Sequence, residues 1–555
     1  MTLKTLCAAP MALAAFLFVA PAVHADDPAA FRAALAAADA KDWPVAMAQG
    51  RRAGPLAAAV IEWERLRDGK GGFDEYVRFV DRYADWPGLK LLREQAERVI
   101  AEDIAPSTVI DWFASDAPQT GTGSLALIAA LPEKAVNSGG LAYDRFRWRI
   151  RKDLYDSAGA LLLERSQSAE MLGDPAQWAD WRRRLARKEM REGDAGRAYR
   201  MAARHHLQSG ADYADLEWLA GYIALRKLGD AATALGHFDR FLKAVNGPIS
   251  LARAHYWRGR AFEALGREAD AAAAYAEGAR YPTAFYGLLS AEKVGLPLSP
   301  AMAGGENYPD WRGMPFAEST VLLAARELMA AGDETLAARF LLHLAEGLSG
   351  YEIGALAGMA MQAKEPYVAL SLAKAAADKG VIWPSAYFPV PALSGLDLPV
   401  RPELALSIAR RESEFNASVV SHAGARGLMQ VMPGTAKMMA QKIGVAYEPA
   451  KLTTDWTYNA RLGAAYLDEL VSEFGNSPLL VAAGYNAGPG RSRQWIAELG
   501  DPRAEGVDPV DWIEAIPFRE TQTYVMRVAE SLPIYRARLS GRAGPLRFTE
   551  ELKGR

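Results

Sequence analysis

A chain of 555 residues exceeds one ordinary hydrophobic core and implies two to four domains. Half of the residues are hydrophobic and 24% are charged, a globular balance that excludes wholesale disorder or membrane embedding. A formal charge of −3 gives no electrostatic case for a nucleic-acid partner.

The first 25 residues read as a secretory signal. Lys4 precedes an apolar run over residues 6–22, and Val23-His24-Ala25 then offers a cleavage site before Asp26 and Asp27. The expected location is therefore the periplasm. Cys7, the single cysteine, lies inside this segment, so the mature chain is expected to hold no disulfide, thiolate metal site or cysteine nucleophile. Loss of Lys4 takes the formal charge from −3 to −4. No second run is long and apolar enough for a membrane span in the mature chain.

From Asp26 onward, Ala- and Leu-rich stretches such as 30–38 and 56–66 predict helix after helix. Trp181, Trp218 and Trp257 each precede a glycine, Gly193, Gly229 and Gly266, and then an aromatic, Tyr199, Phe238 and Tyr275. The glycines recur every 36 to 37 residues, a spacing that suits stacked helix–turn–helix units. Residues 26–300 are expected to form an α-superhelical solenoid with a long concave surface. Pro and Gly cluster over 295–315 and again over 383–402, where Pro384, Pro389, Pro391, Pro399 and Pro402 interrupt helix. These clusters divide a helical linker domain, 301–383, from a C-terminal domain, 384–555. The fold class is predominantly all-α.

Two basic–aromatic patches lie in the solenoid: Arg145-Phe146-Arg147-Trp148-Arg149 and residues 181–188. The plain reading is a solvated helix face over core tryptophans. The alternative is a docking surface for an acidic or sugar polymer.

Chemistry concentrates in the last third. A helix is predicted over residues 404–415, ending in Arg410-Arg411-Glu412-Ser413-Glu414-Phe415. Ser421, Gly427-Leu428-Met429-Gln430 and Met432 follow. Tyr485-Asn486-Ala487-Gly488 comes next, and then Ile516-Pro517-Phe518-Arg519-Glu520-Thr521. In this order and spacing the set resembles the lysozyme-like domain of family 1 lytic transglycosylases. The solenoid and linker resemble the large soluble members more loosely. Two departures are Gly484, where many members have Ala, and Glu414, where an apolar residue is common.

Glycoside cleavage needs a proton donor, and hydrolases usually add a second carboxylate. Glu412 and Glu414 are the local pair, but on one helix two residues are about 200° apart and cannot flank one bond. The resemblance selects Glu412. It implies a C-terminal lysozyme-like α+β domain that cuts the β-1,4 bond between N-acetylmuramic acid and N-acetylglucosamine in peptidoglycan without water. Glu412 would act as acid and then as base, leaving a 1,6-anhydro sugar. Such an acid must start protonated, which calls for an apolar surround; Met429, Met432 and Tyr485 are candidate walls. The resemblance also implies substrate contacts from Ser413, Ser421, Gln430, Met432, Tyr485, Asn486 and Glu520. A hydrolytic muramidase is the alternative, since goose-type lysozymes share the fold.

The expected partners are peptidoglycan glycan strands, with the solenoid offering a surface to cell-wall proteins. His422 reads as a loop residue. No His-Glu-x-x-His, cysteine pair, Walker loop or Gly-x-Ser-x-Gly occurs, so no metal or other cofactor is expected.

Overall fold

A computed structural model describes residues 27–555, save 102, 115, 117, 118, 121, 124, 125 and 127–139. The expected signal over 1–25 lies outside the described residues. The described residues are predominantly helical, in line with the expected class. The β part of the expected α+β domain is reduced to two isolated bridges, Val420 with Arg426 and Arg426 with Val431.

The described residues before 134, with Ser319–Asp333, form one compact unit. Its helices Pro28–Asp39, Trp43–Ala53 and Pro55–Arg67 pack in succession, each opening with proline in its first turn, where the missing N–H costs nothing. Trp63 is fully buried, and its indole donates to the Pro87 carbonyl at 2.8 Å. The Thr320–Ala331 helix, from the segment expected as linker, packs against Pro28–Asp39.

The remaining described residues form the second unit. Three helical hairpins run through it: Pro175–Glu192 with Ala195–Ala203, Ala211–Arg226 with Ala231–Ala244, and Pro248–Ala264 with Glu268–Ala279. These are the repeats expected from the glycine spacing. Close approach within a hairpin depends on a different glycine pair. A Cβ on Gly221 would meet the Phe238 ring at 2.7 Å, and one on Gly259 the Tyr275 ring at 2.4 Å. Trp218 and Trp257 are buried and meet edge to face at 6.0 Å. In the first hairpin the core tryptophan is Trp178, while Trp181 is only partly buried, so the register there differs from that expected.

The C-terminal part contains helices Pro402–Glu412, Pro433–Lys442, Trp456–Phe474, Pro478–Ala487, Pro489–Leu499, Pro509–Ala515 and Arg519–Ser540. Five of these begin with proline. Of the cluster expected to interrupt helix, Pro389, Pro391 and Pro399 lie outside helix, while Pro384 and Pro402 open one each. The long Arg519–Ser540 helix packs on both Pro402–Glu412 and Pro478–Ala487.

The Pro509–Ala515 helix and the residue before it present three acids to the solenoid. Asp508 pairs with Arg260 at 3.1 Å, Asp511 accepts from Arg226 Nε at 2.9 Å, and Glu514 pairs with Arg253 at 2.6 Å. In the 181–188 patch, Arg183 pairs with Asp180, Asp212 and Asp215, Lys188 with Glu192, and Arg187 lies 3.7 Å from Glu514. These cations are partnered within the protein.

Candidate active site

The Pro402–Glu412 helix stops at Glu412. Ser413 caps it, and Glu414 and Phe415 then take positive φ values of 54° and 71°. The helical geometry expected through residue 415 is therefore absent, and the 200° argument against Glu414 does not apply. Glu414 leaves the site for another reason. Its carboxylate turns to Lys374 on the Pro366–Asp378 helix, at 2.5 Å. A left-handed backbone reverses the chain immediately after the acid, and Phe415 drops into the core.

Glu412 is partly buried, and its carboxyl is pushed up to about 7. Burial is the main cause, because it penalises the charged form. Tyr524 and Arg411 oppose it. The Tyr524 hydroxyl donates to Glu412 Oε1 at 2.6 Å, a bond that favours the ionised form, and Arg411 adds an attractive charge. Glu520 pushes the value further up through like-charge repulsion. Tyr524 and Tyr485 are each held well above the ordinary phenol range, by burial first and by the nearby Glu412 charge second, so both stay protonated donors.

The loop after the acid is built from backbone bonds. Ser413 Oγ donates to the Leu428 carbonyl at 2.6 Å and accepts from Phe415 N–H at 3.1 Å. Ser421 Oγ accepts from Ala425 N–H at 3.0 Å. Gln430, with φ of 48°, donates its amide to the carbonyls of Val419 at 3.0 Å and Gly427 at 2.9 Å. Gly427 has φ of 73°, and a Cβ there would lie 1.9 Å from the Leu452 carbonyl oxygen.

Of the residues singled out from the sequence, Tyr485 and Glu520 sit within electrostatic reach of Glu412. The Tyr485 hydroxyl donates to the Met429 carbonyl at 2.8 Å. Glu520 is exposed and outside any core ion pair. Asn486 accepts from Thr521 Oγ1 at 2.7 Å and so ties two site-bearing helices together. Met432, 45% exposed, stands at the start of Pro433–Lys442. Met429 is fully buried against Gly463 in the domain core. Ser413, Ser421 and Gln430 serve the loop backbone. His422 is exposed on that loop.

Sequence reasoning missed two residues. Tyr524 lies four after Glu520 and so shares its helix face, a signal that was available. Asn459 had none. Fully buried, it accepts from Met429 N–H at 2.8 Å and donates to the carbonyls of Arg426 at 2.7 Å and Leu452 at 3.0 Å. It braces the 426–429 turn from the Trp456–Phe474 helix.

Residues 396–505 match the family model described as Transglycosylase SLT domain. The soluble lytic murein transglycosylase of Escherichia coli K12 is 39% identical over 144 residues, 26% of this chain and 21% of that protein. The protein of the same name from Salmonella typhimurium is 41% identical over 134 residues, 24% of this chain and 20% of that one. The aligned stretch thus spans about a fifth of the curated relatives' length. The crystal structure of the 70-kDa soluble lytic transglycosylase from Escherichia coli covers 95% of this chain and 98% of its own, with a TM-score of 0.57 at 18% identity. The lytic transglycosylase Slt of Pseudomonas aeruginosa, solved as an inactive glutamate-to-glutamine mutant, covers 93% and 95%, with a TM-score of 0.54 at 20% identity. At these identities the two structures establish the fold. The chain is similar to soluble lytic transglycosylases, in sequence over its SLT domain and in fold along most of its length.

Proposed function

We propose, from an SLT domain set in this fold, that the protein is a lytic transglycosylase of peptidoglycan. It cleaves the β-1,4 bond between N-acetylmuramic acid and N-acetylglucosamine without water and leaves 1,6-anhydromuramic acid ends. The observation that carries the reading is one carboxyl, Glu412, raised to about 7 and held at 2.6 Å by Tyr524. A substantial share of it is protonated at neutral pH, and that form donates to the glycosidic oxygen as the bond to C1 breaks. The resulting carboxylate then takes the proton of the muramic acid C6 hydroxyl, whose oxygen closes on C1. Tyr524 orients Glu412 in both steps, and its bond strengthens when the carboxylate forms.

The Pseudomonas protein of similar fold is inactive after one glutamate-to-glutamine change, in keeping with an essential carboxyl. The remaining sequence-derived contacts, Ser413, Ser421, Gln430, Met432, Tyr485, Asn486 and Glu520, belong to the proposal as the walls and loop of the cleft. We further propose a periplasmic location behind a cleaved signal. Among the described residues no helix is long and apolar enough to cross a membrane.

One observation favours a hydrolytic muramidase as the second reading. The exposed Glu520 carboxylate lies close enough to raise Glu412, and a second carboxylate is what a water-activating mechanism requires. Mass spectrometry of fragments released from purified sacculi separates the two. Anhydro ends, lighter by one water, support the transglycosylase, and reducing ends support the hydrolase.

A further inference from the structure

We propose that the solenoid tunes the candidate acid through Glu514 and Gln522, two positioning residues that clamp the helix carrying Tyr524. The inference rests on the reading of Glu412 as the acid. Glu514 is fully buried in the Pro509–Ala515 helix. Its carboxylate accepts from Arg253 at 2.6 Å, from the Tyr286 hydroxyl, and from the Gln522 amide at 2.5 Å. Arg187 donates to the Glu514 carbonyl at 3.1 Å, and the Tyr222 phenol also feels the Glu514 charge. Arg187, Tyr222, Arg253 and Tyr286 come from four solenoid helices, Pro175–Glu192, Ala211–Arg226, Pro248–Ala264 and Phe285–Lys293. A buried carboxylate persists only with partners placed this closely, so its position is fixed by the solenoid.

Gln522 is two residues before Tyr524 on Arg519–Ser540, hence about 200° round the helix. One face of that helix is gripped by Glu514, and the other presents Tyr524 to Glu412. Two further ties hold it to the solenoid: Arg519 pairs with Asp215 at 2.7 Å, and Glu530 accepts from Phe285 N–H at 2.7 Å. A hydrogen bond as short as that from Tyr524 to Glu412 weakens steeply with displacement, so slack in the clamp reaches the acid. The charged and titratable groups facing Glu412 are Tyr524 and Glu520 on this helix, Tyr485 on Pro478–Ala487, and its own neighbour Arg411. Two of these four ride on the clamped helix.

The test is Gln522→Ala in the full chain, assayed on purified sacculi across pH together with thermal unfolding. Loss of the grip loosens the Tyr524 donor, which favours the ionised acid. Glu412 then titrates higher, and the alkaline limb of kcat moves upward. kcat falls by about tenfold while KM stays within about twofold. Tyr286→Phe, which removes a donor on the solenoid side, shifts the limb in the same direction and decides the matter if Gln522→Ala does not fold. A lowered melting temperature with kcat and its pH limb unmoved would overturn the proposal. Wild-type protein that releases nothing would instead sink the reading on which it rests.

Discussion

A carboxyl donates a proton at neutral pH only if its surroundings keep it protonated there. Glu412 meets this requirement through burial, moderated by Tyr524 and Arg411. The sign for stability follows. The folded protein favours the neutral carboxyl, so the stabilising contribution is complete at acid pH, below the ordinary carboxyl range. It is lost as pH rises through about 7. Gln at this position does not ionise. Glu412→Gln should therefore gain stability relative to wild type as pH rises from the ordinary carboxyl range to about 7 and hold that gain above it, which melting curves across that range and beyond it would show. Tyr524→Phe should retain the fold, lower kcat by about tenfold and carry its alkaline limb to higher pH, because a donor to the ionised form is gone. Steady-state release across pH checks this, and an unmoved limb would remove Tyr524 from the site. Glu412 was legible in the sequence through its motif. Asn459 was not, since a buried asparagine on a distant helix carries no local pattern.

Elements position these residues through their ends more than their faces. The Pro402–Glu412 helix terminates on the acid itself, and two left-handed residues follow it. Neither is glycine, so composition gave no warning, and the predicted helix ran three residues too far. The turn at Gly427 was foreseeable, but the reason for it was not: the Leu452 carbonyl and Asn459 amide occupy the place of a side chain. Gly427→Ala should cost about 2–4 kcal/mol, from left-handed strain plus displacement of that carbonyl. Urea unfolding would measure it. A cost below about 0.5 kcal/mol would mean that the turn adapts freely. The expected repeats were read from glycines in the turns, whereas hairpin contact depends on Gly221 and Gly259, glycines inside helices whose function shows only when a ring packs on them.

At the scale of the molecule, the basic–aromatic patch of residues 181–188 shows what a sequence cannot disclose. On the alternative reading its cations were open to an acidic polymer. They meet acids on the solenoid itself, or on Pro509–Ala515 more than 300 residues away, and no local pattern announces such pairing. Glu514→Leu would leave the partly buried Arg187 and Arg253 without their carboxylate and should cost about 3 kcal/mol. Hydrogen exchange would locate the loss in the Pro248–Ala264 and Arg519–Ser540 helices. Fast exchange confined to other helices would contradict the clamp. The central claim remains that one carboxyl performs both proton transfers. Its most direct test is parallel digestion of purified sacculi by wild type, Glu412→Gln and Glu520→Gln, with the released fragments weighed. The account predicts anhydro products from wild type and from Glu520→Gln, and none from a folded Glu412→Gln. Anhydro products from Glu412→Gln, or their replacement by hydrolytic ends in wild type, would contradict it.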